Sequence, residues 1–229
     1  MTIRVLLAAV LATAFAPSAV AQAPGPRIGI LSTSGSFAAP ILRANQMPFE
    51  AVANDVPGDS LARYRVVIID NLFRLKDLNA AAFRSFVEKG GILVILNPQS
   101  DGFTKAWSPY EVYIGEYAIE GKITDRKHPL FRGFTSDKLD HFAESNGPFV
   151  GNCSFTEPGP EWKVLARHAK KSKNALVLEA TYGAGRMILA CVRFDLYNAR
   201  PGPTRLGDNL AAYLKALTSS PPAAPRQAR

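Results

Sequence analysis

Two periods alternate along the first half of the chain. "RIGILST" (Arg27 to Thr33), "RVVIIDN" (Arg65 to Asn71) and "ILVILN" (Ile92 to Asn97) are near-continuous apolar runs, the pattern of strands buried on both faces. Between the last two, "LNAAAFRSFVEKGG" spaces Ala81, Phe83, Phe86 and Val87 at helical intervals and stops on Gly90–Gly91. Strand, helix and strand with short links predict a βαβ unit, hence a parallel sheet with a right-handed crossover. Upstream, "AAPILRAN" reads as a short helix, "FEAVAND" as a second strand and "VPGDSLARY" as a loop.

After Asn97 the rhythm breaks into a long aromatic stretch holding "YAIEGKIT", a short strand, and "HPLFRGF", a loop. "EWKVLARH" and "NALVLEATYGAGRMILACVRFD" then predict antiparallel strands, with the glycines of "YGAGR" making a tight hairpin. "TRLGDNLAAYLKAL" closes as an amphipathic helix with Leu206, Leu210, Tyr213, Leu214 and Leu217 on one face. The expected fold class is one α/β domain over residues 22–217: a three-layer flavodoxin-like sheet, mostly parallel, with an antiparallel extension in the second half. The Pro- and Ala-rich tail 218–229 is expected to be disordered.

Residues 1–21 combine Arg4, the apolar run "VLLAAVLATAFA" and the small-residue stretch "PSAVAQA", the pattern of a signal peptide cleaved after Ala21. The run is too short to span a bilayer core of roughly 30 Å as a helix. A periplasmic or secreted protein is therefore expected, with no membrane attachment once the signal is removed. The net charge of +8 is dispersed, and its one dense patch, Arg167 to Lys173, reads as a solvated hairpin tip without interleaved aromatics. No nucleic-acid partner is expected. Cys153 and Cys191 are compatible with one disulfide or with two buried thiols, and both readings stay open.

Taken in order, "VVIIDN…LNAAAFRSFVEKGGILVILNPQ", "HPLFRGF" and "YGAGRMILACVRFD…GDNLAAYL" resemble the class I glutamine amidotransferase-like superfamily, within it the ThuA-like and β-galactosidase middle-domain-like branches. In the amidotransferase branch the strand after Gly-Gly runs into a sharp turn bearing a nucleophilic Cys. The resemblance places Asn97 at that position, and Asn cannot form an acyl-enzyme. Pro98 lacks the backbone N–H that helps to bind an oxyanion. ThuA-like members more often carry a His there, and a "GHD"-like segment where this chain has "RFD", keeping Asp195 and losing the His. The resemblance thus implies the scaffold of an enzyme without its nucleophile.

Ligands of open parallel sheets lie outside the carboxyl ends of the strands. The polar residues there are Ser32, Thr33, Ser34 and Ser36, then Asp70 and Asn71, then Asn97, Gln99 and Asp101. Ser32, Thr33, Ser34, Asp70, Asn71, Asn97 and Gln99 are the ligand-binding candidates, rich in hydroxyls and amides that suit a small polar ligand such as a sugar. The competing reading is that they cap helices and turns. "STSGS" lacks the GxGxxG and Walker patterns, and no cofactor is expected. His128, before Pro129, reads as a turn residue and His168 as part of the solvated basic turn. His141 and Glu144 in "DHFAESNG", with Asp195, are the catalytic candidates of an enzyme reading; no metal site is expected from the His and Cys spacing. Trp107, Tyr110 and Tyr113 fit either a carbohydrate-stacking platform or core packing. The leading expectation is an exported, non-catalytic binding or accessory domain for carbohydrate or a protein partner. The alternative is a sugar-active hydrolase or isomerase-like enzyme of ThuA-like type.

Overall fold

Leu31, Val67, Ile69, Leu93 and Ile95 pack on one side of a central sheet, while Ile28, Ile30, Val66, Ile68 and Val94 pack on the other. That alternation is why the strand sequences read as unbroken apolar runs: both faces are covered. The computed structural model describes residues 28–32, 35–53, 55, 57–70, 75, 78–98, 103, 106–139, 150–194 and 206–219.

The described strands are β1 (Ile28–Leu31), β2 (Phe49–Ala51), β3 (Val66–Asp70), β4 (Ile92–Leu96), β5 (Tyr113–Gly115) and β6 (Gly121–Ile123), followed by β7 (Lys138–Leu139), β8 (Ser154–Thr156), β9 (Lys163–His168), β10 (Ala175–Tyr182) and β11 (Gly185–Ala190). They form one sheet in the order β2-β1-β3-β4-β11-β10-β9-β6-β7, with β8 beside β10 and β5 beside β8. β2 to β11 in that order pair in parallel and every other described pairing is antiparallel. The parallel first half and the antiparallel second half are as expected, although among the described pairings the antiparallel ones outnumber the parallel. The tight hairpin at Gly183 forces β10 and β11 antiparallel, and the extension grows outward from that pair.

Helix α1 (Ala38–Ala44) and the last helix, α3 (Leu206–Ser219), lie over one face; α2 (Ala80–Glu88) lies over the other. α3 extends past Leu217, the expected end of the domain. Two segments expected to be loops contain short 3-10 helices, Gly58–Arg63, which packs on α2, and Pro129–Phe131. "YAIEGKIT" is strand only over Gly121–Ile123. No described helix is long and apolar enough to cross a membrane.

The Gly-Gly step has two separate causes. Gly90 stands at φ +109°, a backbone conformation that L side chains rarely adopt. Gly91 lies under the ring of Phe86, which a Cβ would approach to 2.3 Å. One glycine turns the chain and the next lets the helix seat on the strand it precedes.

Candidate functional site

The carboxyl edge of the parallel strands carries three of the expected ligand-binding residues within the described region. Leu31 pairs with Ile69 and Asp70 with Leu96, so Ser32, Asp70 and Asn97 stand on adjacent strand ends. Thr33, Ser34, Asn71 and Gln99 lie outside the described residues, as do the catalytic candidates His141, Glu144 and Asp195.

Asp70 is fully buried, and its Oδ2 accepts the Ser36 hydroxyl and the Ala38 backbone N–H, both at 2.7 Å. Phe37, at the N-cap position of α1, has no side chain able to cap. The carboxylate comes from β3 instead, where it satisfies an orphan N–H and faces the positive helix end. For Asp70 the capping role foreseen as the competing reading is the observed one.

Asn97 sits differently. Its φ is +48°, and its N–H reaches the carbonyl of Ala190 at 2.7 Å, so the chain turns sharply while still tied to β11. Asn tolerates this left-handed backbone better than most residues. The side chain is 1% exposed, and neither its Oδ1 nor the Ser32 Oγ has a hydrogen-bond partner among the described residues. Burial ordinarily demands a partner for such atoms, and no described residue supplies one for either.

Beside this turn, Cys153 and Cys191 form a disulfide with Cα atoms 5.4 Å apart, which decides between the two cysteine readings. Gly151 bridges both Ala118 and Val192, so the bond and the bridges hold residues 150–153 against the end of β11.

A second cluster was not foreseen from the sequence. Glu179 on β10 is 6% exposed, yet its carboxylate takes a hydrogen bond from His128 Nε2 at 3.0 Å, another from Arg186 at 2.5 Å, and a third from the Tyr213 hydroxyl. Arg186 also reaches the Tyr213 oxygen at 2.8 Å. His128 Nδ1 accepts the Leu130 N–H at 3.3 Å, which assigns the ring hydrogen to Nε2, facing the acid. Asn209 of α3 donates to the carbonyls of Leu130 and Arg132, locking the same turn. Burial alone would push the Glu179 carboxyl up; the bonds from His128, Tyr213 and Arg186 outweigh it and hold the group at about 2, against an ordinary 4.5. Burial and the Glu179 charge push the Tyr213 hydroxyl up. The cluster joins β10, β11, α3 and the Pro129 turn. Its signal in the sequence is the single acid inside the apolar run "ALVLEATY", a costly guest unless partnered.

Of the aromatic candidates, Trp107 and Tyr110 resolve as packing. Trp107 is 1% exposed and stacks on Phe83 with ring centroids 5.4 Å apart. Tyr110 meets Trp162 and Tyr182 edge-on and donates to the Thr181 carbonyl. Tyr113 is exposed, in company with Tyr117 and Ile119, which no sequence pattern singled out. His168 is not solvated but buried, its Nδ1 accepting the Lys170 N–H at 3.1 Å to shape the hairpin tip. Among the described residues no group of His, Cys, Asp and Glu is arranged to hold a metal ion.

The fold has counterparts among solved structures. A GMP synthase subunit protein from Thermoplasma acidophilum superposes with TM-score 0.59 at 9% identity, covering 86% of this chain and 96% of the other. That likeness is consistent with a glutamine amidotransferase-like fold. A ThuA-like protein from Bacteroides uniformis gives TM-score 0.53 at 13% identity, covering 85% and 93%. A cytoplasmic protein from Salmonella typhimurium gives 0.53 at 14%, covering 82% and 98%. No protein-family model matches the sequence, and neither does any curated protein. At these identities the amidotransferase-like likeness concerns the fold, and the function rests on the site.

Proposed function

We propose that this chain is an exported, non-catalytic amidotransferase-like binding domain whose ligand edge lies at Asn97 and takes a small polar ligand such as a sugar. The observation that carries the reading is the Asn97 turn. The left-handed corner is kept at the strand end where the resemblance puts a nucleophile, and the residue on it can hydrogen-bond but cannot attack. Pro98 removes the next backbone donor. No described residue donates to the Asn97 Oδ1 or the Ser32 Oγ, and we read both as acceptors for a hydroxyl-rich ligand. We read the strand order of the parallel half as flavodoxin-like, and residues 22–217 as one domain. Export is supported by the signal-like residues 1–21 and by the Cys153–Cys191 disulfide, a bond typical of oxidising compartments. The enzyme alternative rests on His141, Glu144 and Asp195, which lie outside the described residues.

The test is a thermal-shift screen of the mature protein against mono- and oligosaccharides. A sugar-dependent rise in Tm that Asn97→Ala removes is the expected result. A flat response to every sugar would sink the carbohydrate reading in favour of a protein partner. Turnover of a glycoside or of glutamine would sink the non-catalytic reading.

A further inference from the structure

A hollow lies at the opposite edge of the sheet from Asn97, beneath the amino ends of β3 and β4. It runs between the 3-10 segment Gly58–Arg63 and α2 and encloses about 500 Å³, within the roughly 300–1,000 Å³ usual for small-molecule sites. Its walls are apolar: the Phe86 ring seated on Gly91, the Tyr64 ring, and the methyls of Ala62 and Ala82. Gly58 is needed to bring the two walls together, since a Cβ there would stand 3.2 Å from the Ala82 methyl.

The polar groups facing this trough are few and uncommitted. Arg65 spends one N–H on the Gly90 carbonyl, which fixes the guanidinium at the floor, while its other donors have no partner among the described residues. Lys89 forms no ion pair among the described residues, and Ser85 no side-chain hydrogen bond. Asp59 lines the same hollow from the 3-10 segment and likewise pairs with neither cation. Two cations and one carboxylate that share a trough without meeting leave a net positive floor between apolar walls.

We infer that this groove binds a small organic acid with a flat apolar body. The body lies against Phe86 and Tyr64, the carboxylate meets Lys89 and the free Arg65 donors, and Asp59 accepts a hydrogen bond from an N–H or O–H on the far side of the ligand. A guanidinium fixed by its own backbone bond is pre-organised for a carboxylate. The groove and the Asn97 turn occupy opposite strand ends, so this inference stands apart from the proposed function.

Titration of the ¹⁵N-labelled mature protein with indole-3-acetate tests it, with indole-3-acetamide as the neutral counterpart. The expected result is saturable shifts at the amides of Gly58, Ser85, Lys89 and Gly91, with the amide ligand at least tenfold weaker. Lys89→Glu weakens the acid at least fivefold while leaving Tm unchanged, because Lys89 is exposed. Asn97→Ala leaves the titration as it was, so a failure here does not touch the reading of the other edge. Absent shifts, shifts confined to other surfaces, or equal affinity for acid and amide would each overturn the inference.

Discussion

His128 and Glu179, separated by 51 residues, meet through Nε2 and Oε2 at 3.0 Å beneath the ring of Tyr213. The pair explains why three weak sequence motifs occur together. "HPLFRGF" supplies His128 and its turn, "YGAGR" supplies Arg186, and the last helix supplies Asn209 and Tyr213. All three close on the acid of β10. Two of the three segments quoted for the resemblance, "HPLFRGF" and "YGAGRMILACVRFD…GDNLAAYL", thus fasten the last helix to the sheet.

Removing the acid strands three donors. Glu179→Ala is expected to lower unfolding free energy by about 3–5 kcal/mol, the usual cost of breaking a buried ion pair from one side. Glu179→Gln, which keeps one acceptor, should cost less. Urea melts followed by tryptophan fluorescence give both values; a loss below about 1 kcal/mol for Ala would show that the cluster is not a structural tie.

The same acid sets an acid limit on stability. Its folded value, about 2, lies below the unfolded 4.5, so its contribution is complete above about pH 4.5 and is lost as pH falls toward 2. That contribution is at most about 3 kcal/mol. Wild type and Glu179→Gln should therefore converge in urea midpoint as pH drops through this window. Parallel profiles would place the acid sensitivity elsewhere.

The Cys153–Cys191 bond closes a 38-residue separation, and reducing it should cost about 4 kcal/mol through the entropy of the unfolded chain. Melting the protein with and without reductant, alongside Cys153→Ser/Cys191→Ser, measures it. Identical Tm values under both conditions would mean the bond does not form in solution.

At Asn97 the backbone dictates the choice. Asn97→Gly should be near neutral, whereas Asn97→Val should cost at least about 1–2 kcal/mol because a β-branched residue resists φ +48°. Asn97→Cys should still show no glutaminase activity, since Pro98 cannot supply an oxyanion N–H. Turnover in that variant would mean that a thiol on this turn is sufficient for glutaminase chemistry.

Gly91→Ala drives a methyl into the Phe86 ring and should cost about 1–3 kcal/mol, as overpacking does. Phe86→Leu in the same chain should recover part of the loss. A double-mutant cycle with coupling below about 0.5 kcal/mol would assign the need for glycine to the backbone instead.

Much of the parallel half was legible because its signals are local. An apolar run bounded by turn residues states a two-sided strand, and Phe83, Phe86 and Val87 followed by Gly90 state a helix and its stop. The antiparallel half was legible as strands but not as an order. β6 lies between β9 and β7, and β5 joins only through β8, because short strands with long loops leave pairing to tertiary packing. Among candidate residues, Asp70 and Asn97 looked alike in sequence as polar strand ends. One proved to cap a helix 32 residues away, and the other to hold a left-handed turn.

By itself, then, the sequence determined the βαβ unit, the hairpin of β10 and β11, the amphipathic last helix and the absence of a thiol at the Asn97 strand end. Each of these is set within one turn or one strand, by periodicity, backbone freedom or side-chain chemistry. Only the tertiary structure decided that Cys153 meets Cys191, that Glu179 gathers His128, Arg186 and Tyr213, and that Arg65, Lys89 and Asp59 share one hollow. Those facts depend on distances between residues far apart in the chain, which burial of both sheet faces fixes and no local pattern records.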